Sequence, residues 1–394
     1  MNNRALFLKH VGQTSPNPLC LEIVKASGTK MWDIQGKEYI DLIAGISVCN
    51  IGHSHPEVVK AITEQANAYT HIMVYGELVQ SPQVRYAEAL TQMLPKTLNS
   101  VFFTASGSEA TEGAMKLAKR FSGRTQMISF KNSYHGSTQG ALSVMGSEYW
   151  QQAFRPLLPG ITQMRYNMME DLDLITEDMA CVIAESIQAE AGVNIPDIHW
   201  MQALRQKCTE TGTLLILDEI QCGFGRNGTQ WAFEAFDIVP DILLLGKALG
   251  GGMPLGAFIS DKKLMDHLTY DPVLGHINTF GGHPVSCAAG LAALKVANRD
   301  KVVEAVFGKE QRFKEKLVHK KIRAFQSRGL MIALHFDDFE MNKKVIDKLI
   351  ESGVFTDWFL FASHALRIAP PLNISDAEID QACEAILRVL DYEC

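Results

Sequence analysis

Between about residues 100 and 260, short and almost wholly apolar runs alternate with segments of helical spacing, and nothing else in the chain restricts its fold so tightly. Val101-Phe102-Phe103, Met127-Ile128-Ser129-Phe130, Cys181-Val182-Ile183-Ala184, Leu214-Leu215-Ile216-Leu217 and Ile242-Leu243-Leu244-Leu245 are the strand-like members. A strand with one wet face alternates polar and apolar residues, whereas a continuous apolar run has to be covered on both faces. Such runs, separated by helices, predict an α/β domain built on a mainly parallel sheet with helices on either side. From about residue 291 the pattern changes to long amphipathic helices with a few short strands. A smaller α+β domain is expected there, completed by the first few dozen residues. The expected division is 1–45, 46–290 and 291–394. Ser375-Asp376-Ala377-Glu378 has the form of a capping box and predicts a last helix running towards Tyr392.

Composition narrows the function. Lys and Arg number 37 against 44 Asp and Glu, a formal charge of −7, and no basic stripe offers a nucleic-acid surface. No apolar stretch reaches the length of a membrane span, and the opening Met1-Asn2-Asn3-Arg4 lacks the apolar run of a secretory leader. The eight cysteines form no C-x-x-C pair, and several sit inside apolar runs, as buried thiols do. A reducing cytoplasm is the expected location. His53 and His55 lie two apart without acidic or thiol neighbours, so no metal site is expected.

Ligands of open parallel sheets bind beyond the carboxyl ends of the strands. Several of these ends carry useful chemistry here. Val101–Thr104 leads into Ala105-Ser106-Gly107-Ser108-Glu109-Ala110, a small-residue loop entering a helix whose apolar face is Ala110, Ala114, Leu117 and Ala118. Free backbone N–H groups at such an entry can seat an anion, although an ordinary N-cap looks the same in sequence. Two further runs end in Glu185 and Asp218, and a carboxylate at the end of a buried strand is costly unless a positive group meets it. Ile242–Leu245 ends in Gly246-Lys247, followed by Ala248-Leu249-Gly250-Gly251-Gly252. Burial in such surroundings lowers the pKa of an amine and makes it a nucleophile towards carbonyl carbon.

Taken together, these strings resemble the class III (ornithine and ω-amino acid type) aminotransferases, pyridoxal-phosphate enzymes of fold type I. The resemblance runs over nearly the whole chain. It includes Gly52-His53-Ser54-His55-Pro56, Ser106-Gly107-Ser108-Glu109-Ala110, Tyr134-His135-Gly136, Glu185-Ser186-Ile187-Gln188-Ala189-Glu190 and Asn278-Thr279-Phe280-Gly281-Gly282. Asp218-Glu219-Ile220-Gln221 and Gly246-Lys247-Ala248-Leu249-Gly250-Gly251-Gly252 are its most specific parts. The resemblance implies that Lys247 carries the cofactor as a Schiff base and that Asp218 keeps the ring nitrogen protonated. It implies that Gln221 reaches the phenolic oxygen with Glu185 close by, that Gly107 and Ser108 bind the phosphate, and that Tyr134 stacks on the ring beside His135. Thr279 would complete the neighbouring subunit's phosphate site, making a homodimer the minimal unit. An amino donor and a 2-oxo acid acceptor, 2-oxoglutarate or pyruvate, would react in ping-pong order.

Substrate choice is less closely specified. Arg367, in Leu366-Arg367-Ile368-Ala369-Pro370-Pro371, matches the family's arginine for a substrate α-carboxylate, and Glu190 matches the glutamate that pairs with it and swings away. A permanent salt bridge is the alternative. Where ornithine, acetylornithine and 4-aminobutyrate aminotransferases usually carry a carboxylate-binding arginine, this chain has Ser137. Where ornithine aminotransferases place a tyrosine, it has Ile46. A serine cannot supply an arginine's charge. Tyr75 and Glu77 are weaker candidates for the substrate mouth. Two other functions stay open at this point. Aminomutases and a decarboxylase share the fold and cofactor. Gly223-Phe224-Gly225-Arg226-Asn227-Gly228 satisfies the G-x-G-x-x-G pattern of an NAD-dependent dehydrogenase, provided that a strand precedes it and a helix follows.

Overall fold

All five apolar runs become strands of one seven-stranded sheet in the computed structural model, which describes residues 2–74 and 76–392. Across the sheet the order is Ser100–Thr104, Gly256–Ser260, Ile242–Leu245, Leu214–Asp218, Met179–Glu185, Gln126–Phe130 and Ile161–Met164. Neighbours from Ile242–Leu245 onward are parallel, while Gly256–Ser260 runs antiparallel to both of its partners. Only ten residues separate Leu245 from Gly256, too few for a parallel crossover, so the chain turns straight back. The edge strand Ile161–Met164 carries Thr162 and Gln163 and therefore lacks a continuous apolar signature.

Helix Gly107–Ser122 covers one face, with Ala110, Ala114, Leu117 and Ala118 packed against Ile183, Ile216, Leu244 and Phe258. Ser106 caps it, and Gly123 ends it at φ 69°. Helix Ile198–Thr211 lies on the opposite face, its Trp200, Met201 and Leu204 joining Phe130, Leu217 and Leu243 in a second core. Covering both faces is what lets the strands be apolar throughout. Parallel pairing then brings the polar strand ends to one edge: Glu185 and Asp218 are register partners in adjacent strands.

The two chain ends share a further core. Ala324–Arg328, Met331–His335, Ala362–Ile368 and Trp358–Phe359 form an antiparallel sheet. Ile23–Ser27, Lys30–Asp33 and Glu38–Asp41 form another, closed by Val354–Phe355 in parallel with Glu38–Asp41. Ile40 and Leu42 accordingly pack with Phe313, Leu334, Val345, Leu366 and Ile386. The last helix, Asp376–Tyr392, opens on the expected capping box: Glu378 Oε2 accepts from Ser375 N at 2.8 Å, and Ser375 Oγ from Glu378 N at 3.3 Å. Arg226, fully buried, ties this region to the large sheet by donating to the carbonyls of Leu330 (3.0 Å) and Pro370 (2.5 Å) and to Asn50 Oδ1 (2.6 Å).

Candidate active site

A cavity of about 180 Å³ opens where the strand ends converge, and Lys247, Asp218, Gln221, Glu185, Tyr134, His135, Gly107 and Ser108 all line it. Eight positions spread over 141 residues of sequence thus meet because parallel strands deliver their carboxyl ends to one edge. The Ser106–Ser108 turn brings the helix N-terminus to one wall. Lys247 follows its strand at φ 47°, a left-handed conformation uncommon for a residue with a side chain. Its Nζ donates to Gln221 Oε1 at 2.7 Å. Gly136, at φ 126°, lies where an added Cβ would overlap Ser108, so glycine is needed for the Tyr134–Ser137 turn to fold over the cavity.

The carboxylates are held by donors as well as by burial. His135 Nδ1 donates to Asp218 Oδ2 at 2.8 Å, and Ile220 N donates to Oδ1 at 3.0 Å. That bond fixes the histidine tautomer and leaves its Nε2 buried with no partner among the described residues. Glu185 accepts from Tyr134 N (3.0 Å) and Ala189 N (3.1 Å), so it fastens the Tyr134 loop to the sheet. Burial, then the neighbouring Asp218 charge, push the Glu185 carboxyl well above the usual carboxylate range. Lys247 moves the other way. Burial lowers its pKa, against the opposing pull of Glu190. A buried amine that sheds its proton readily, beside a buried carboxylate, is equipped to attack carbonyl carbon and to carry protons.

A second cavity, of about 300 Å³, adjoins the first through Lys247 and Tyr134 and holds Glu190 and Arg367. Glu190 Oε1 and Oε2 take Arg367 Nη1 and Nη2 at 2.8 and 2.9 Å, a bidentate pair that is almost wholly buried. Leu360 N also donates to Glu190 Oε2, at 3.1 Å. Burial alone would raise the Glu190 carboxyl, but the Arg367 guanidinium, helped by Lys247 and the Leu360 N–H, draws the group down to about 2. Sequence reading missed a third member, Asp357, whose Oδ1 takes Arg367 Nε at 2.7 Å. Its own carboxyl is pushed up, by burial and, after the pull of Arg367, by Glu190. The two acids shift in opposite directions because Glu190 holds both terminal nitrogens and Asp357 only one bond. Nothing local in Thr356-Asp357-Trp358 announces this role, since the pairing depends on the adjacent strand Ala362–Ile368.

Other expected residues lie elsewhere. Ser137 Oγ meets Tyr134 Oη at 3.0 Å, and Ile46 lines the second cavity. Thr279 is exposed and lines neither cavity. Glu77 is exposed along a separate groove with Gln83 and Asn278, which gives it no place at the substrate mouth of this chain, and Tyr75 lies outside the described residues. His53 Nε2 bonds Asp41 Oδ2 at 2.7 Å, and His55 caps the helix Pro56–Ala68. Gly223–Gly228 forms consecutive turns with no helix opening on it, the next element being the 3-10 segment Ala232–Phe236, so the dinucleotide pattern lacks its required context.

Comparison with known proteins agrees with this geometry. The family model for class-III aminotransferases matches residues 11–390. An acetylornithine aminotransferase of Methanopyrus kandleri is 38% identical, with 99% of each chain covered. Among solved structures, an ornithine aminotransferase of Toxoplasma gondii ME49 is 30% identical, with a TM-score of 0.90 over 98% of this chain and 93% of the other. An (S)-enantioselective ω-transaminase of Thermomicrobium roseum is 26% identical, with a TM-score of 0.90 over 99% and 98%. This protein therefore belongs to the class III aminotransferases, enzymes of fold type I that use pyridoxal phosphate to pass an amino group from a donor to a 2-oxo acid.

Proposed function

We propose that Lys247 is the residue to which pyridoxal phosphate attaches, and that the donor is an amino acid or ω-amino compound and the acceptor 2-oxoglutarate or pyruvate. One observation carries this reading: the amine of Lys247, its pKa lowered by burial, shares a cavity with buried Asp218 and a helix N-terminus. These residues fit the cofactor. The turn at Gly107 and Ser108 suits a phosphate. Asp218 supplies the buried carboxylate that a protonated ring nitrogen would answer, and Glu185 beside it holds the Tyr134 loop. Tyr134 lines the same cavity, as a ring-stacking residue must, and Gln221 touches Lys247 Nζ, as a residue answering the phenolic oxygen would. When bound, pyridoxal phosphate supplies a carbonyl carbon for the nitrogen and a ring that draws electrons from the carbon beside it. Nζ of Lys247, freed by an incoming amine, removes a proton from the substrate carbon bearing nitrogen and later delivers it. His135 Nδ1 keeps Asp218 oriented.

Glu190 acts as a gate on Arg367: paired, it hides the guanidinium from amine donors, and withdrawn, it exposes two parallel N–H groups to a carboxylate. Relatives named for acetylornithine and ornithine favour a donor with two functional ends, although Ser137 offers no charge to the far one. Residues 46–290 would form the cofactor-binding domain, with 1–45 and 291–394 the smaller one, a division supported by the core that both ends share. A homodimer is proposed as the working unit, Thr279 reaching the neighbouring site. Exposed Val79, Val273, Ile277 and Phe280 supply apolar surface for such a contact. Buried free thiols at Cys181, Cys208, Cys222 and Cys287 suit a reducing cytoplasm. The test is borohydride treatment of cofactor-loaded protein followed by peptide mapping. A pyridoxyl group is expected on Lys247, with no turnover by Lys247→Ala. Label on another lysine, or full turnover by that variant, refutes the assignment.

A further inference from the structure

The wall of the second cavity is more acidic than the Glu190–Arg367 pair requires. Asp357 sits between strands Val354–Phe355 and Trp358–Phe359 and faces this cavity with Ile46, Trp358 and Leu360. Strand pairing holds it in place: Arg367 N donates to its carbonyl at 3.0 Å, and Thr356 Oγ1 donates to the Arg367 carbonyl at 2.6 Å. One guanidinium thus meets two carboxylates, and the group of three sums to −1. Only Oδ1 of Asp357 is engaged. Its Oδ2 takes no donor from the described residues and is not sealed in, the side chain being 30% exposed.

Arg367 does not need this acid to stay in place. Glu190 already binds it at two nitrogens, the Trp358 carbonyl accepts from Nη2 at 3.0 Å, and the Phe359 ring lies 4.5 Å from the guanidinium. An acid present only to hold Arg367 would be expected to bury both oxygens against donors, as Glu190 does, because a carboxylate oxygen with no protein donor in a partly enclosed cavity is less well solvated than in water. A ligand cation removes that cost. Ile46, Trp358 and Leu360 offer apolar surface for a methylene chain between the two ends of such a ligand. Among the described residues lining this cavity, the cations are Arg367, already neutralised, and Lys247, committed to the cofactor in the reading above.

We propose that Asp357 is a specificity residue that receives a second ammonium group of the amine donor, so that free diamines and diamino acids are preferred over N-acylated and dicarboxylic donors. This rests on the transaminase reading given above. A charge contact at hydrogen-bond distance in a partly wet cavity corresponds to about a tenfold or greater change in affinity.

The test separates binding from turnover. Cofactor-loaded enzyme, reduced with borohydride so that it cannot react, is titrated calorimetrically with 1,5-diaminopentane and with its mono-N-acetyl derivative. The wild type is expected to bind the free diamine about tenfold more tightly. Asp357→Asn keeps the Arg367 Nε acceptor but not the charge, and should bring the two affinities within about threefold by weakening the diamine alone. Equal affinities in the wild type, or a preference that survives in Asp357→Asn, overturn the proposal, and the wild-type comparison decides even where the variant does not fold. Failure of the transaminase reading would show separately, as no amine-dependent consumption of 2-oxo acid by untreated enzyme.

Discussion

Replacing Glu190 with glutamine keeps the shape of the proposed gate and removes its charge. In the wild type a substrate carboxylate reaches Arg367 only by displacing Glu190 from two charge-assisted bonds of 2.8 and 2.9 Å. The depression of that carboxyl from 4.5 to about 2 reflects how strongly its surroundings favour the charged form. At 1.36 kcal/mol for each factor of ten, the fall amounts to about 3 kcal/mol. Glu190 is 4% exposed, so solvent screening takes little from this figure. An incoming carboxylate competing with a neutral amide should therefore gain about 1.5–3 kcal/mol, since the amide oxygen keeps one bond. That range corresponds to a tenfold to hundredfold lower KM for 2-oxoglutarate. The assay is steady-state transamination at a fixed amine donor, with Tm recorded alongside. Arg367 retains Asp357 and the Trp358 carbonyl, so the fold should survive. A KM that is unchanged or higher, in a variant that melts within a few degrees of the wild type, refutes the gate.

The same pair should show in acid stability. Because the folded pKa of Glu190 lies below the unfolded one, the unfolded chain takes up the proton first as pH falls. The pair's contribution of about 3 kcal/mol is present above pH 4.5 and is lost towards pH 2, a slope that urea titrations of Glu190→Gln should lack. Arg226→Met should cost about 3–5 kcal/mol in urea unfolding, because the Leu330 and Pro370 carbonyls and Asn50 Oδ1 lose a buried partner. An unchanged midpoint would contradict that role. Gly256→Ala would drive a Cβ into the Ser106 carbonyl and the Thr104 hydroxyl. It should weaken pyridoxal-phosphate binding at least tenfold, read from cofactor fluorescence, while far-ultraviolet dichroism is retained. Wild-type cofactor affinity in this variant would show that the Ser106–Ser108 turn can move without consequence.

Much of the chemistry could be read along the chain because each group lies next to the local pattern that places it. An apolar run marks a buried strand, and the residue after it arrives at the ligand-binding edge, which is how Glu185, Asp218 and Lys247 declare themselves. The Ser375–Glu378 box likewise contains its own instructions. The strand Gly256–Ser260 was harder to see, because its direction follows from the length of the connection rather than from its residues. Thr279 stands exposed on this chain, away from both cavities, so its place in the site is not decided by one chain's packing.

Sequence alone determined the layered α/β architecture, the family and the residues at the strand ends, because hydrophobic periodicity and short motifs are properties of neighbours. Tertiary structure decided how Arg367 is shared. Glu190 lies 177 positions away and Asp357 only 10, yet both reach one guanidinium, since strand pairing and packing bring distant positions to the same wall. Whether a carboxylate at that wall is an open group or a buried counter-ion depends on which oxygen is covered, and only the packed chain settles it.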